Sequence, residues 1–166
     1  MGDPVRGSFQ AIAERLDYPM FVVTATDGIE RAGCLVGFAT QCSIEPRRML
    51  VCLSKQNRTA VVAREVDSLV VHVLRSGDRD LAVRFGELTG DEVDKFAGLD
   101  VTVAPGGAPV ISGLDWFQGD VHARHDLGDH VGYVLDVEAT VGAAIRARES
   151  PLGFQQVHGL EPGHPA

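Results

Sequence analysis

The densest group of residues able to bind an anion lies in the sequence SKQNRT, which begins at Ser54. It combines the hydroxyl groups of Ser54 and Thr59 with the cations Lys55 and Arg58. Asn57 is a residue type that caps helices, and the free backbone N–H groups at a helix start attract anions. Because the chain carries a net charge of −8, an anionic ligand requires a local cationic site of this kind. Two interpretations stay open, a phosphate site and a solvated turn with an ordinary cap.

The six histidines are a second source of possible chemistry. His122 and His125 are three positions apart, which places them on opposite faces of a strand, and no acidic residue stands out beside them. His72 lies in an apolar segment and is predicted to be a satisfied core or pocket histidine. On its local sequence alone, His130 is a surface histidine at a strand end. We predict no metal site, and we expect solvated side chains at His158 and His164.

The three cysteines, Cys34, Cys42 and Cys52, lie in apolar segments and lack CxxC spacing. An odd number without that spacing disfavours both a disulfide framework and a structural zinc site. We therefore predict that all three are small, buried hydrophobic side chains.

Length and composition limit the class of protein. The 166 residues are expected to form one main domain. The net charge of −8 disfavours nucleic acid and anionic membranes as partners, because there is no excess of Lys and Arg. The N-terminal sequence MGDPVRGSFQ has no apolar signal-peptide core, and no segment approaches the roughly 20 apolar residues of a membrane span. We expect a cytoplasmic protein.

The pattern of apolar residues predicts many short strands. Asp27-Gly28 between two apolar segments is typical of a hairpin turn. Gly33 and Gly37, inside the second predicted strand, indicate a bulge or the close approach of a flat group. The predicted strands are Tyr18–Thr26, Arg31–Thr40, Met49–Leu53, Ser68–Leu74, Val101–Ala104, Pro109–Ile111, Leu114–His125, His130–Val141 and Gly153–Val157.

Three stretches have helical features. Residues 1–17 carry apolar side chains at helical spacing, and Asn57 is a predicted N-cap for a short helix over Thr59–Glu65. Helical spacing also marks residues 81–88, and Thr89 with Glu92 forms a capping-box signature just after them. Strands that alternate with so few helices favour a mostly β (α+β) fold, an antiparallel barrel with short helical insertions, over a βαβ fold.

Several short motifs occur in a characteristic order along the chain. They are Gly37-Phe38-Ala39-Thr40, Ser43-Ile44-Glu45-Pro46, SKQNRT, Lys95-Phe96-Ala97-Gly98, Pro109-Val110-Ile111-Ser112-Gly113, Gly128-Asp129-His130 and Pro151-Leu152-Gly153-Phe154. This ordered set resembles the flavin reductase-like, FMN-binding split β-barrel family. The resemblance covers residues 18–160, so that residues 1–17 are interpreted as a lead-in helix and residues 161–166 as a tail. Arg47, in place of a second proline, and Gln41, in place of a frequent serine, depart from the pattern.

The resemblance implies an antiparallel split β-barrel of the FMN-binding type and an NAD(P)H-dependent flavin reductase. Such an enzyme transfers hydride from NADH or NADPH to FMN or FAD and supplies reduced flavin to a partner monooxygenase. The resemblance also implies a homodimer. The alternative is a non-catalytic module that binds FMN, haem or a deazaflavin. The Gly128-Asp129-His130 motif distinguishes the two, because a pure flavin store does not need it.

Residue by residue, the resemblance implies two sets of contacts. In the flavin set, Phe38, Ala39 and Thr40 line the isoalloxazine and Cys42 and Ser43 continue along the cofactor, while the ribityl chain and phosphate are held by Ser54, Lys55, Asn57 and Thr59. In the nicotinamide set, the catalytic His130 helps to position the dihydronicotinamide and its neighbours are Gly128 and Asp129.

Overall fold

The computed structural model describes residues 4–137, 141–142, 149–161 and 163. Its helices are α1 (Pro4–Ala13), α2 (Arg58–Val62), α3 (Arg79–Glu87) and α4 (Phe154–Val157). Its strands are β1 (Phe21–Thr26), β2 (Arg31–Val36), β3 (Ala39–Ser43), β4 (Arg48–Ser54), β5 (Ser68–Val73), β6 (Val101–Val103), β7 (Pro109–Ile111), β8 (Asp115–Asp126), β9 (His130–Asp136) and β10 (Val141–Gly142).

The main sheet curls because its two outermost strands follow one another in the chain. The strand order is β2-β1-β5-β8-β9-β4-β3, with β10 paired to β8 and every pair antiparallel. At the corner between β2 and β3, the Cys52 N–H of β4 donates to the Phe38 carbonyl at 2.9 Å. The prediction of a mostly antiparallel split β-barrel with a few short helices is confirmed.

The core fills the inside of this curled sheet. Alternate residues of β1, such as Phe21 and Val23, meet Val51 and Leu53 of β4 inside the barrel. The other face of β1 is also buried, since Val22 packs in a second cluster with residues of α3 and with Leu152. Burial on both faces explains why β1 begins with three consecutive apolar residues, Phe21-Val22-Val23.

The outside of the barrel is covered unevenly. Helices α3 and α4 contribute to the cluster over β1 and β2, and the β6–β7 hairpin packs against Val70 of β5. In contrast, Thr40, Leu50 and Val134 form one row across β3, β4 and β9. These three side chains are exposed or half-buried and belong to none of the three clusters found among the described residues.

His72 is the satisfied core histidine that its apolar strand predicted. Its ring is fully buried, with Nδ1 3.0 Å from the Val22 carbonyl oxygen and Nε2 3.0 Å from the Ile111 amide nitrogen. These partners require a neutral ring, because Nε2 must accept from the Ile111 N–H. Burial lowers the pKa of His72 to about 4. The ring therefore connects β5 to β1 and β7 in its uncharged form.

Two strand predictions were wrong in ways that shape the site. The single strand predicted over Arg31–Thr40 is broken at Gly37 and Phe38 into β2 and β3, because the sheet turns its corner there. The strand predicted over Gly153–Val157 is a helix preceded by Gly153. The Asp17 carboxylate accepts from the Gln155 N–H at 3.0 Å, which satisfies one free amide of that helix start.

The capping-box signature at Thr89 and Glu92 is followed by turns, not by a helix. Within these turns Lys95 is only 5% exposed. Its Nζ donates to the carbonyls of Gly33 and Phe85, both at 3.1 Å, and this draws the chain inward. The predicted strand His130–Val141 ends earlier, at Asp136, and residues 138–140 lie outside the described part of the chain.

The three cysteines are free. Cys34 is buried as predicted and Cys52 is half-buried, but the prediction of burial is wrong for Cys42. The exposed Cys42 lies on β3, whose burial pattern contains no buried residue. Within the described residues, no helix combines the length and apolar character that crossing a bilayer requires.

Candidate functional site

A cavity of about 320 Å³ opens where the corner between β2 and β3 meets the ends of β4 and β9. The corner supplies Phe38, β4 ends at Ser54, and His130 begins β9 directly opposite Ser54. The side chains that give this cavity its character are Tyr18, Phe38, Ser54, Asn57, His130 and Phe154.

Four rings line the cavity. The Phe38 and His130 ring centroids are 5.3 Å apart and tilted by 52°. Tyr18 lies 6.0 Å from Phe38 and stacks on Phe154 at 4.8 Å with an interplanar angle of 18°. Walls of this kind favour a flat aromatic ligand, because offset stacking adds to the burial of its faces.

Gly37 is required at the corner. A Cβ atom there would lie 2.5 Å from Cε2 of Tyr18, which is closer than any side chain tolerates. The flat group whose approach the glycine pattern predicted is therefore the Tyr18 ring.

His130 is oriented by its neighbour in the turn. Its Nδ1 lies 2.7 Å from Oδ1 of Asp129, and its side chain is 24% exposed. When Nδ1–H donates to the carboxylate, Nε2 is left for another partner. The hydrogen bond from His130 lowers the pKa of Asp129 below its ordinary value, so that this carboxyl is ionised at neutral pH. Gly128 has a φ of 107°, which the tight turn between β8 and β9 requires.

Lys55 connects this turn to the end of β4. Its backbone N–H donates to the Asp129 carbonyl at 2.9 Å, and its Nζ donates to Oδ1 of Asp126 at 2.8 Å. The same carboxylate oxygen accepts from the Gly128 N–H at 3.0 Å. The hydrogen bond from Lys55 lowers the pKa of Asp126. The Lys55 side chain is among those that line a separate cavity, beside Arg124 and Tyr133.

Helix α2 begins below the cavity, as the SKQNRT sequence predicted. Oδ1 of Asn57 accepts from the Thr59 N–H at 3.1 Å, which makes Asn57 the N-cap. Thr59 is 1% exposed and lines a neighbouring cavity of about 430 Å³ with Arg58 and Lys95. The Arg58 guanidinium donates to both carboxylate oxygens of Glu30.

The cavity joins only part of the predicted flavin set to the predicted nicotinamide set. Phe38, Ser54 and Asn57 line it together with His130, and Gly128 and Asp129 lie in the exposed turn beside it. The predicted residues of β3 are not among its lining. Of these, Thr40 and Cys42 are exposed, and the half-buried ones are Ala39 and Ser43.

Sequence reasoning missed Tyr18, Met20 and Phe154 as lining residues. Tyr18 and Met20 precede β1, and Phe154 belongs to the C-terminal segment. Two signals pointed to them. Gly37 indicated a flat neighbour, and Phe154 belongs to one of the ordered motifs, although its segment was predicted as a strand.

The expectation that no acidic residue stands beside His122 and His125 was wrong, because the bulge in β8 brings His122 next to β9. Its Nδ1 lies 3.2 Å from Oδ2 of Asp136, and Oδ1 of the same carboxylate accepts from Arg48 Nε. In the described ranges, no three His, Cys, Asp or Glu side chains are grouped so as to hold a metal ion.

Comparisons with known proteins agree with this architecture. A family model described as "Flavin reductase like domain" matches residues 13–159. The chain is 37% identical over 134 residues to the flavin-dependent monooxygenase reductase subunit HsaB of Mycobacterium tuberculosis, covering 76% of this chain and 70% of HsaB. The HsaB subunit of Rhodococcus jostii is 33% identical over 148 residues, covering 85% of this chain and 70% of that subunit.

Two further curated relatives are longer, and the chain spans 65% of one and 51% of the other. Among solved structures, the NADH:FAD oxidoreductase SgcE6 of Streptomyces globisporus C-1027 superposes with a TM-score of 0.80. Its sequence is 23% identical, with 92% of this chain and 90% of that chain covered, so that this likeness concerns the fold alone. The chain belongs to the flavin reductase-like domain family.

Proposed function

We propose that this protein is an NAD(P)H-dependent flavin reductase that uses FMN or FAD as hydride acceptor. The observation that supports this most directly is one cavity in which Phe38, Ser54 and Asn57 meet His130. The first three belong to the predicted flavin set and the last to the predicted nicotinamide set. Hydride transfer requires the two rings to stack at near-attack distance, so residues for both rings must share one space.

The residues present fit a flavin. The cavity volume of about 320 Å³ lies within the range of small-molecule sites, and flat side chains dominate its walls. Ser54 and Asn57 add polar groups at one side. A bound flavin and a nicotinamide supply the redox chemistry, whereas the protein supplies binding and orientation.

We assign the following roles to the chain's own residues. The ring and backbone of Phe38 lie at the corner and contact the isoalloxazine, while His130, held by Asp129, positions the nicotinamide. We also assign the phosphate end to Lys55 and Thr59, on either side of the start of α2, where their side chains line the two neighbouring cavities. We place the other flavin contacts of β3 at Ala39, Thr40, Cys42 and Ser43.

A homodimer completes this arrangement. The row formed by Thr40, Leu50 and Val134 lies on a face that no cluster of described residues covers. A second copy on this face buries the row and brings the exposed Thr40 and Cys42 into a closed site.

The two HsaB relatives are named as reductase subunits of flavin-dependent monooxygenases. We therefore propose a monooxygenase as the consumer of the reduced flavin. The cytoplasmic location stays a prediction from the sequence.

The test is anaerobic reduction of flavin. Purified protein is mixed with FMN or FAD and then with NADH or NADPH, and the absorbance of the oxidised flavin is followed. We expect bleaching with at least one pair, at a rate proportional to protein concentration. Flavin binding without bleaching by either nucleotide would discard the reductase and favour a non-catalytic FMN-binding module.

A further inference from the structure

One side of the cavity is an aromatic wall made of Tyr18 and Phe154. The two rings stack at 4.8 Å, and the Tyr18 ring lies directly on Gly37. Partial burial raises the pKa of the Tyr18 hydroxyl above its ordinary value. The wall stands beside Phe38, whose ring in turn neighbours His130.

The two halves of the wall come from opposite ends of the chain and are joined by backbone hydrogen bonds. The Phe154 N–H donates to the Tyr18 carbonyl at 2.9 Å, and the Met20 N–H donates to the Leu152 carbonyl at 2.8 Å. The Leu152 N–H donates to the Leu74 carbonyl at 3.0 Å. The C-terminal segment is thus inserted between the residues before β1 and the end of β5.

Gln155 adds a side-chain connection next to the wall. Its Nε2 donates to the carbonyls of Glu14 and Leu16, both at 2.8 Å, so that both amide hydrogens have partners. Its backbone N–H donates to Oδ1 of Asp17 at 3.0 Å. A Cβ on Gly153 would lie 2.4 Å from the same oxygen, so this glycine makes room for the Asp17 carboxylate.

These contacts tie residue 155, next to Phe154, to residues 14–17, next to Tyr18. Gln155 and Asp17 are both exposed and are not among the residues that line the cavity. Their connection fixes the relative position of the two rings without contact to a ligand.

We propose that Gln155 and Asp17 are positioning residues that hold the aromatic wall in place for the ring of the nicotinamide co-substrate. This inference rests on the proposed reductase function. The wall sets how closely a second flat ring packs beside Phe38 and His130. Because rates of transfer depend steeply on the approach of the reacting atoms, a loosened wall weakens productive binding.

The test compares Gln155→Glu with Gln156→Glu. A carboxylate at 155 cannot donate, and it faces the carbonyls of Glu14 and Leu16. Gln156 is a matched control on the same helix because its Oε1 accepts from the Gly153 N–H at 2.9 Å, and a glutamate keeps that acceptor. Both variants add one negative charge. We expect Gln155→Glu to raise the KM for the nicotinamide about tenfold with a smaller change in kcat, and Gln156→Glu to leave both within about twofold.

A second readout follows the wall itself. The chain has two tyrosines, Tyr18 in the wall and Tyr133, which is 1% exposed in the core. With fluorotyrosine incorporated, the ¹⁹F NMR signal of Tyr18 is expected to shift or broaden in Gln155→Glu, while the Tyr133 signal stays in place and reports an intact barrel.

The outcomes separate the alternatives. The proposal is overturned if the two glutamate variants have equal KM values, or if the Tyr18 signal moves without a change in KM. Movement of both tyrosine signals shows that Gln155→Glu disturbs the whole fold. In that case Asp17→Ala is tested by the KM for the nicotinamide and the ¹⁹F signals. Its control is Asp17→Asn, which keeps the Oδ1 acceptor. A wild-type protein that oxidises neither nucleotide refutes the proposed function instead, and the wild-type assay alone shows this.

Discussion

The two sides of the candidate site are built in opposite ways. On one side, His130 is placed by its own hairpin turn, through Asp129 next to it and through the contact of Lys55 with Asp126. On the other side, Tyr18 and Phe154 come from the two ends of the domain and meet through long-range contacts.

The difference shows which parts of a site a short motif can specify. The conformation of a turn is specified by its own residues. Here Gly128, with its positive φ, and the carboxylate of Asp129 fix the position of His130 locally. The aromatic wall has no local cause. It exists only after the barrel has formed and the C-terminal segment has paired with residues 18–20, so it depends on the stability of the whole fold.

The largest expected effect is the loss of fold stability at acidic pH, which would disrupt both sides of the site. His72 has a pKa of about 4 in the fold against an ordinary 6.5, so the unfolded chain binds the proton more tightly. The contribution of His72 to the free energy of unfolding is complete above pH 6.5 and is lost as the pH falls towards 4. The difference between the two pKa values corresponds to roughly 3 kcal/mol. The free energy of unfolding, measured in urea across this range, is expected to fall accordingly.

The control for this prediction is His72→Asn, which removes the titrating group. The variant is expected to be less stable at pH 7 but to have a flatter dependence on pH between 6.5 and 4. An unchanged slope would show that other groups cause the acid sensitivity.

The next largest expected effect is on kcat/KM and comes from displacing Tyr18 in the aromatic wall alone. Gly37→Ala places a methyl group 2.5 Å from Tyr18 and forces that ring to move. We expect kcat/KM to fall about 100-fold, because the space for the second ring is lost. Gly77→Ala is the matched control, since its new methyl group meets nothing closer than 3.7 Å. Equal activity of the two variants would mean that the wall has no part in the reaction.

A smaller effect is expected on the turn side. His130→Ala should raise the KM for the nicotinamide about tenfold and leave the Kd for flavin within about twofold. The measurement is steady-state kinetics together with flavin titration by fluorescence. Equal changes in both constants would contradict the assignment of His130 to the nicotinamide.

The smallest effect concerns Lys55, which is partly exposed and paired with Asp126. Lys55→Ala should weaken FMN binding by about threefold, since a hydrated, already paired cation adds little to phosphate affinity. Riboflavin, which lacks the phosphate, is the control ligand and should bind both proteins equally. An equal loss for riboflavin would show that Lys55 acts through the turn and not on a phosphate.

Local patterns predicted much of the fold. The Asn57 cap and the hairpin after Thr26 follow from turn chemistry, and β4 follows from its apolar segment, although only Val51 and Leu53 of that strand are buried. The sequence could not predict that Lys95 turns inward to the carbonyls of Gly33 and Phe85. The burial of Lys95 depends on residues distant in the sequence, and helix-capping patterns contain no information about them.

The site was predictable only where it is local. Phe38, Ser54, Asn57 and His130 were predicted and share one cavity. Phe154 was predicted on a strand, but it begins a short helix whose start is satisfied by the Asp17 carboxylate and by the Gln156 side chain. The predicted flavin contacts of β3 do not line this cavity, and they stay predictions.

The most direct test of the central claim is a crystal structure with FMN and NAD⁺ bound. We predict the isoalloxazine against Phe38 near the end of β4, with the nicotinamide ring beside His130 in the same cavity. A structure in which either ring binds outside this cavity would contradict the account.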